Sequence, residues 1–223
     1  MRKNRQTEGA LKAWVLNQLI DQGRIDRATV LASEFSLPTE ELRADLALLA
    51  DEFIGEEIKG PLDSLRRLSR QIQSYGRIFD RTILVCSSAH IVRVLGRAPC
   101  VELWEVTSDF RLVIHHGPCL SSSFPPDRKA LARVASSRSA LLTSLHVDAR
   151  EAVVEGFRDR FSQSSRRFWA SLVNGPASEE SLTGLSRFLE QRNLHRASKL
   201  RKDAFWADWH QRANSPAKSG GYQ

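Results

Sequence analysis

Cysteine, methionine and tyrosine are scarce in this sequence: three, one and two residues of 223. Cys86, Cys100 and Cys119 are odd in number and widely spaced, which argues against a disulfide framework and fits a reducing, cytoplasmic setting. Neither a C-x2-C nor an H-x3–5-H spacing occurs, so the cysteines with His90, His115 and His116 make a poor zinc site. No apolar run reaches the roughly 18–20 residues of a membrane span. No apolar stretch follows the basic start Met-Arg-Lys-Asn-Arg as a signal peptide requires, so a membrane is not among the expected partners. A G-x-x-x-x-G-K-[ST] loop is missing, which excludes an ATP-driven motor. Ser121–Ser123 lack a G-x-S-x-G setting for a hydrolase serine.

What is present is an ordinary globular mixture, 41% apolar and 26% charged. The net charge of +7 is unevenly placed. Residues 1–126 carry 16 Lys+Arg against 16 Asp+Glu, and residues 127–223 carry 17 against 10. A polyanion would therefore feel the C-terminal part most.

Apolar spacing predicts helices over 8–22 and 27–36. Residues 43–59 read as two strands around Asp51-Glu52. A helix capped by Asp63 is expected to run through about Arg77, followed by a strand at 81–86 and a short helix at 90–95. Further strands are expected at 101–106 and 110–115. The order ααββαβαββ implies an α/β core with a mixed central sheet flanked by helices. After the Ser121–Pro126 linker the reading is helical over 127–147, 150–173, 178–192 and 195–212. The expected divisions are 1–120, a basic helical extension over 127–213, and a flexible tail over 214–223.

The 43–59 hairpin carries the chemistry. A loop of residues 50–52 places Asp45 opposite Glu57, with Lys59 on the same face. Ala44, Leu46, Leu48, Ile54 and Ile58 take the other face and can pack on a helix. A two-residue loop would shift this alignment. Close carboxylates repel unless a cation lies between them, and hard oxygen ligands favour Mg2+ or Mn2+. Lys59 could orient water or neutralise developing phosphoryl charge. A salt-bridged surface hairpin is the plain alternative. Gln71 and Tyr75 share a helix face, with Arg67 one turn away, and suit phosphate and water contacts.

Asp45, Glu57-Ile-Lys59 and Gln71-x-x-x-Tyr75 resemble the PD-(D/E)XK, or restriction-endonuclease-like, nuclease superfamily, in the branch of RecB-type exonucleases and small stand-alone bacterial proteins. The likeness covers about residues 25–116. It implies a metal-dependent nuclease acting on DNA, in repair or in defence against foreign DNA. Asp45 and Glu57 would be metal ligands, joined by the Ile58 carbonyl and by Glu34 from the preceding helix. Lys59 would be the catalytic lysine, and Gln71 and Tyr75 would hold phosphate and water. Ala44 stands where the pattern often has proline, and Gly60-Pro61 follows Lys59 directly. Arg67, Arg158, Arg160, Arg166 and Arg167, with the cluster Arg196, Lys199, Arg201 and Lys202, are candidate phosphate contacts. Trp169, Trp206 and Trp209 with Phe168 and Phe205 could stack bases, though such residues more often form helical core.

Two other readings stay open. Residues 28–50 resemble the helix-turn-helix of small bacterial repressors, with Thr39–Leu49 as recognition helix. That reading leaves Glu57, Lys59, Gln71 and Tyr75 unexplained. The second is a non-catalytic, nuclease-like subunit of a larger assembly. A homodimer or a larger complex is expected in either case.

Overall fold

The computed structural model describes residues 7–37, 42–98, 101–117 and 149–185. Met1–Ser186 form one compact unit, and the second, Arg187–Gln223, lies outside the described residues. The elements are α1 (Glu8–Asp21), β1 (Val30–Ser36), β2 (Arg43–Leu49), β3 (Phe53–Lys59), α2 (Leu68–Tyr75), β4 (Arg81–Ser87), α3 (Ser88–Val94), β5 (Glu102–Val106), β6 (Leu112–His116) and α4 (Ala149–Ser171). Two 3-10 turns follow, Leu172–Asn174 and Ser181–Leu185. No helix among the described residues is long and apolar enough to cross a membrane.

The chain is α/β, as the element order implied. One six-stranded sheet runs β1-β2-β3-β4-β5-β6. β1, β2 and β3 pair antiparallel, β3–β4 and β4–β5 pair parallel, and β6 returns antiparallel on β5. The mixed sheet follows from chain lengths: a tight turn joins β2 to β3, while helices α2 and α3 provide the longer crossovers that parallel pairing needs.

Both faces of the sheet are covered. Leu11, Val15, Leu16 and Leu19 form the buried stripe of α1. They pack with Leu31, Leu46, Leu48, Ile54, Ile58, Ile83 and Val85. The opposite face splits into two clusters. Leu68 and Ile72 of α2 join Leu84, Cys86, Leu103 and the α3 residues Ile91 and Val94. Phe35, Phe53, Tyr75, Phe79, Phe157 and Phe161 form an aromatic cluster linking β1, β3, α2 and α4. Its rings meet mostly edge to face, for example Phe35 with Phe157 at 5.4 Å. Burial pushes the Cys86 thiol up to about 12, so it is an inert part of this core.

α4 also manages the exposed edge of β1, a position that otherwise leaves backbone groups unpaired. The Ser165 hydroxyl lies 2.8 Å from the Leu31 N–H and 3.1 Å from its carbonyl. The Trp169 indole donates to the Thr29 carbonyl at 2.8 Å. Phe168 and Trp169 are buried, so they are core residues rather than base-stacking platforms. Phe205, Trp206 and Trp209 lie outside the described residues.

Three expectations require correction. Residues 27–36 are not a helix: Val30–Ser36 is β1, paired with β2 from Val30–Leu49 to Ser36–Arg43. The helix-turn-helix reading fails with it, because Arg43–Leu49 is a strand and not the end of a recognition helix. The apolar spacing suits either period locally, and sheet pairing decides. The Asp63 helix starts late, at Leu68. The Asp63 carboxylate instead accepts the Gly60 N–H at 2.7 Å and closes the turn after β3. Finally, the described part of the expected 178–192 helix is only the 3-10 turn Ser181–Leu185. The helices expected at 127–147 and 195–212 lie outside the described residues.

Candidate functional site

The β2–β3 hairpin has the expected register over Leu46–Leu49 and Phe53–Glu56, but Ala44 joins the aromatic cluster instead of the face of Leu46 and Leu48. Leu46 faces Glu56 and Leu49 faces Phe53, with residues 50–52 as the turn. Glu57 and Lys59 therefore project to the α2 side of β3. There the Lys59 ammonium reaches Glu57 Oε1 at 2.6 Å, and the Gln71 amide donates to the same oxygen at 2.5 Å. The Tyr75 hydroxyl lies 2.5 Å from Glu57 Oε2 and 2.8 Å from the Arg43 carbonyl. It has one proton for two acceptors, and the carboxylate is the stronger. Burial, then the Glu57 carboxylate, push the phenol well above its usual range, so it stays a donor.

Asp45 starts the other strand. Its Oδ2 accepts the Ile58 N–H at 2.8 Å. Burial first, and the Glu57 charge second, push Asp45 up to about 7. Glu34 lies opposite Asp45, between the pairs Ser33–Leu46 and Phe35–Ala44. Its φ is 60°, a left-handed conformation that costs a non-glycine residue about 1–3 kcal/mol. Contacts to Lys12 and Arg43 hold its carboxylate there.

Asp45, Glu57, Lys59 and Gln71 line one cavity of about 480 Å³. Glu8, Arg43, Asp45, Glu57, Ile58, Lys59, Asp63, Arg67 and Gln71 are on its wall. It sits beyond the carboxyl end of β3, where open α/β sheets commonly bind ligands. Behind it, His90 anchors the turn. Arg93 donates to His90 Nδ1 at 2.8 Å, so Nε2 carries the ring proton and donates to the Gly60 carbonyl at 2.9 Å.

The structure thus brings together Asp45, Glu57, Ile58, Lys59, Gln71 and Tyr75, with Glu34 beside Asp45 and exposed Arg67 on the cavity wall. Arg158, Arg160, Arg166 and Arg167 are exposed on α4, and none lines this cavity. Arg158 instead borders a second cavity of about 290 Å³ beside Arg24 and Asp26. Arg160 rests over the Phe161 ring at 5.2 Å. Arg196, Lys199, Arg201 and Lys202 lie outside the described residues.

Two residues escaped the sequence reading. Glu8 and Lys12, one turn apart on α1, form an ion pair at 2.6 Å. Glu8, Glu34 and Asp45 each place a carboxylate oxygen within 4.8 Å of the others, and Lys12 joins all three. The i,i+4 spacing of Glu8 and Lys12 was the available signal. Chemically, the cavity offers carboxylate oxygens for a hard cation and a cationic wall of Arg43, Lys59 and Arg67 for an anion.

The family described as Bacteriophage P4 protein cII matches residues 1–118. No curated protein and no solved structure matches the chain. The family match overturns the resemblance to PD-(D/E)XK nucleases, and the reading as a nuclease or hydrolase of repair or defence is corrected with it. The residues behind that resemblance do converge, but convergence of side chains describes a site and does not assign an activity. With more than half of its length matched, the chain belongs to the bacteriophage P4 protein cII family.

Proposed function

We propose that this chain is a phage regulatory protein that engages nucleic acid, probed most simply as DNA, through a divalent cation in the hairpin cavity. The observation that supports this reading is the mixed lining: Asp45 and Glu57 beside Arg43, Lys59 and Arg67. The donor set fits Mg2+ or Mn2+. Asp45 is pushed up to about 7 by burial and by Glu57, so a cation between the two would relieve their repulsion. Asp45, Glu57 and the Ile58 carbonyl would hold it, and such an ion supplies a contact to phosphate oxygen. Lys59, Arg43 and Arg67 would bind the same phosphate directly. The family match supports a regulatory role. Since Val30–Ser36 and Arg43–Leu49 are paired strands, recognition uses the cavity and its rim rather than a helix-turn-helix.

Fluorescence anisotropy with labelled duplex and single-stranded DNA, in Mn2+ and in EDTA, tests this. Affinity is expected to fall on chelation and in an Asp45→Asn, Glu57→Gln double variant. It should also fall with salt, with a log–log slope of roughly 0.9 per neutralised phosphate on duplex DNA. Equal affinity in all arms removes the cavity from recognition. A denaturing gel of the same mixtures should show intact strands. Breakage that depends on Mn2+ and vanishes in Asp45→Asn would overturn a purely binding role.

A further inference from the structure

Three acidic side chains converge from three elements: Glu8 of α1, Glu34 of β1 and Asp45 of β2. Such a group would repel itself without a cation. The cation is already there. The Lys12 ammonium is 2.6 Å from Glu8, contacts Glu34 and lies 3.5 Å from Asp45. Two of its hydrogens go to Glu8 and Glu34, and Asp45 lies at ion-pair distance. The Glu57 side of the same cavity differs. There the Gln71 side-chain oxygen is buried, with no hydrogen-bond partner. Glu57 has its own ammonium in Lys59, yet one buried acceptor is left over beside it, whereas the three acids beside Glu8 already share the Lys12 ammonium.

We propose that Lys12 is the resident counter-ion of the Glu8–Glu34–Asp45 nest and limits the cavity to a single divalent cation, held on the Asp45–Glu57 side. This inference rests on the reading that Asp45 and Glu57 take a divalent ion. Lys12 then acts as a specificity-determining residue. It holds Asp45 from behind, keeps Glu34 in its left-handed conformation, and denies a second ion the three oxygens that would suit one.

Calorimetric titration of the full chain with Mn2+ tests it, with free ion followed independently by electron paramagnetic resonance. Wild type is expected to bind one ion, and Lys12→Met two. Two ions in wild type, or one in a folded Lys12→Met variant, would overturn the proposal. If Lys12→Met is unfolded without metal, Mn2+ should restore its near-ultraviolet circular dichroism, and failure to do so counts against the nest as a cation site. A Glu8→Gln, Glu34→Gln double variant, with Lys12 kept, should bind Mn2+ within about twofold of wild type. A tenfold loss there places the ion in the nest and overturns the proposal. Glu57→Gln separates this idea from the one beneath it. It should abolish the wild-type ion but spare the ion gained by Lys12→Met. If wild type binds no Mn2+ while Lys12→Met binds one, the Asp45–Glu57 reading fails and the role of Lys12 stands.

Discussion

Glu56 and Glu57 are neighbours on β3, and both are buried, yet their surroundings are opposite. Glu57 receives Lys59, Gln71 and Tyr75. Glu56 lies on the α1 side, among Leu46, Ile54, Ile58 and Ile83, and neither of its carboxylate oxygens has a hydrogen-bond partner. Burial pushes Glu56 up to about 8, with Glu102 and Asp45 adding and Arg24 opposing. One residue along a strand reverses the face, so the same side chain is a hub for three donors on one side and a neutral acid in apolar packing on the other. Burial of a carboxylate is thus no guide to function by itself. The donors around it decide.

The largest expected effect breaks this contrast directly. Glu57→Ala strips the acceptor from a buried ammonium, an amide and a phenol at once. Removing one partner of a buried ion pair costs about 3–5 kcal/mol. Glu56→Leu removes an unpartnered acid from an apolar setting and should be neutral or stabilising. Urea denaturation of both variants reads the difference. Equal losses would mean that Glu56 has a partner in the folded protein and that the contrast is mistaken.

The strand interior, turn and register of β2 and β3 were legible because alternation and a short polar loop encode them locally. The convergence of Glu57, Lys59, Gln71 and Tyr75 followed from two periods, two residues in a strand and four in a helix, whereas Asp45 joins them at the end of the β2–β3 pairing, where its side chain accepts the Ile58 N–H. β1 was not legible. Its apolar residues satisfy helical spacing, and only pairing with β2 and the α4 side chain Ser165 make it an edge strand. Lys12 was missed for a related reason. Its helix position is evident, but its burial depends on α1 docking beside β1 and β2, contacts remote in sequence. Glu56 was not legible because strand alternation puts it among apolar neighbours, where no pattern calls for a carboxylate. The nuclease reading failed at another level, since a few polar residues specify a local arrangement and leave the activity of the whole unassigned.

A mid-sized effect tests what holds the Glu57 face in place. A Cβ at Gly55 would stand 2.2 Å from the Phe79 ring, and that ring packs on Phe53 at 4.7 Å and Tyr75 at 5.6 Å. Gly55→Ala must push the ring aside, and overpacking of this kind costs about 1–3 kcal/mol. It should also shift Tyr75 and weaken Mn2+ binding, whereas Glu56→Leu should leave that binding alone. Gly55→Ala with wild-type melting temperature and wild-type Mn2+ affinity would show that the ring has room to move and does not position Tyr75.

The smallest effect per step is a pH slope that belongs to Glu56 alone. Its folded value is about 8, against an ordinary 4.5, so the folded chain keeps a proton that the unfolded chain releases. Below about pH 4.5 both states are protonated and the stabilising contribution is fully present. It is lost progressively as pH rises through the window to about 8, on the order of 1 kcal/mol per pH unit. Asp45 is raised too and slopes in the same direction, so wild type alone cannot separate them. Glu56→Gln can, because it keeps the shape and does not titrate. Its amide brings a fixed cost from unpartnered N–H groups, but a fixed cost moves a curve without tilting it. The difference in melting temperature between wild type and Glu56→Gln should therefore favour wild type most near pH 5 and decline steadily toward pH 8. Parallel curves across that range would mean that Glu56 is ionised in the folded protein, and that its burial is matched by a donor after all.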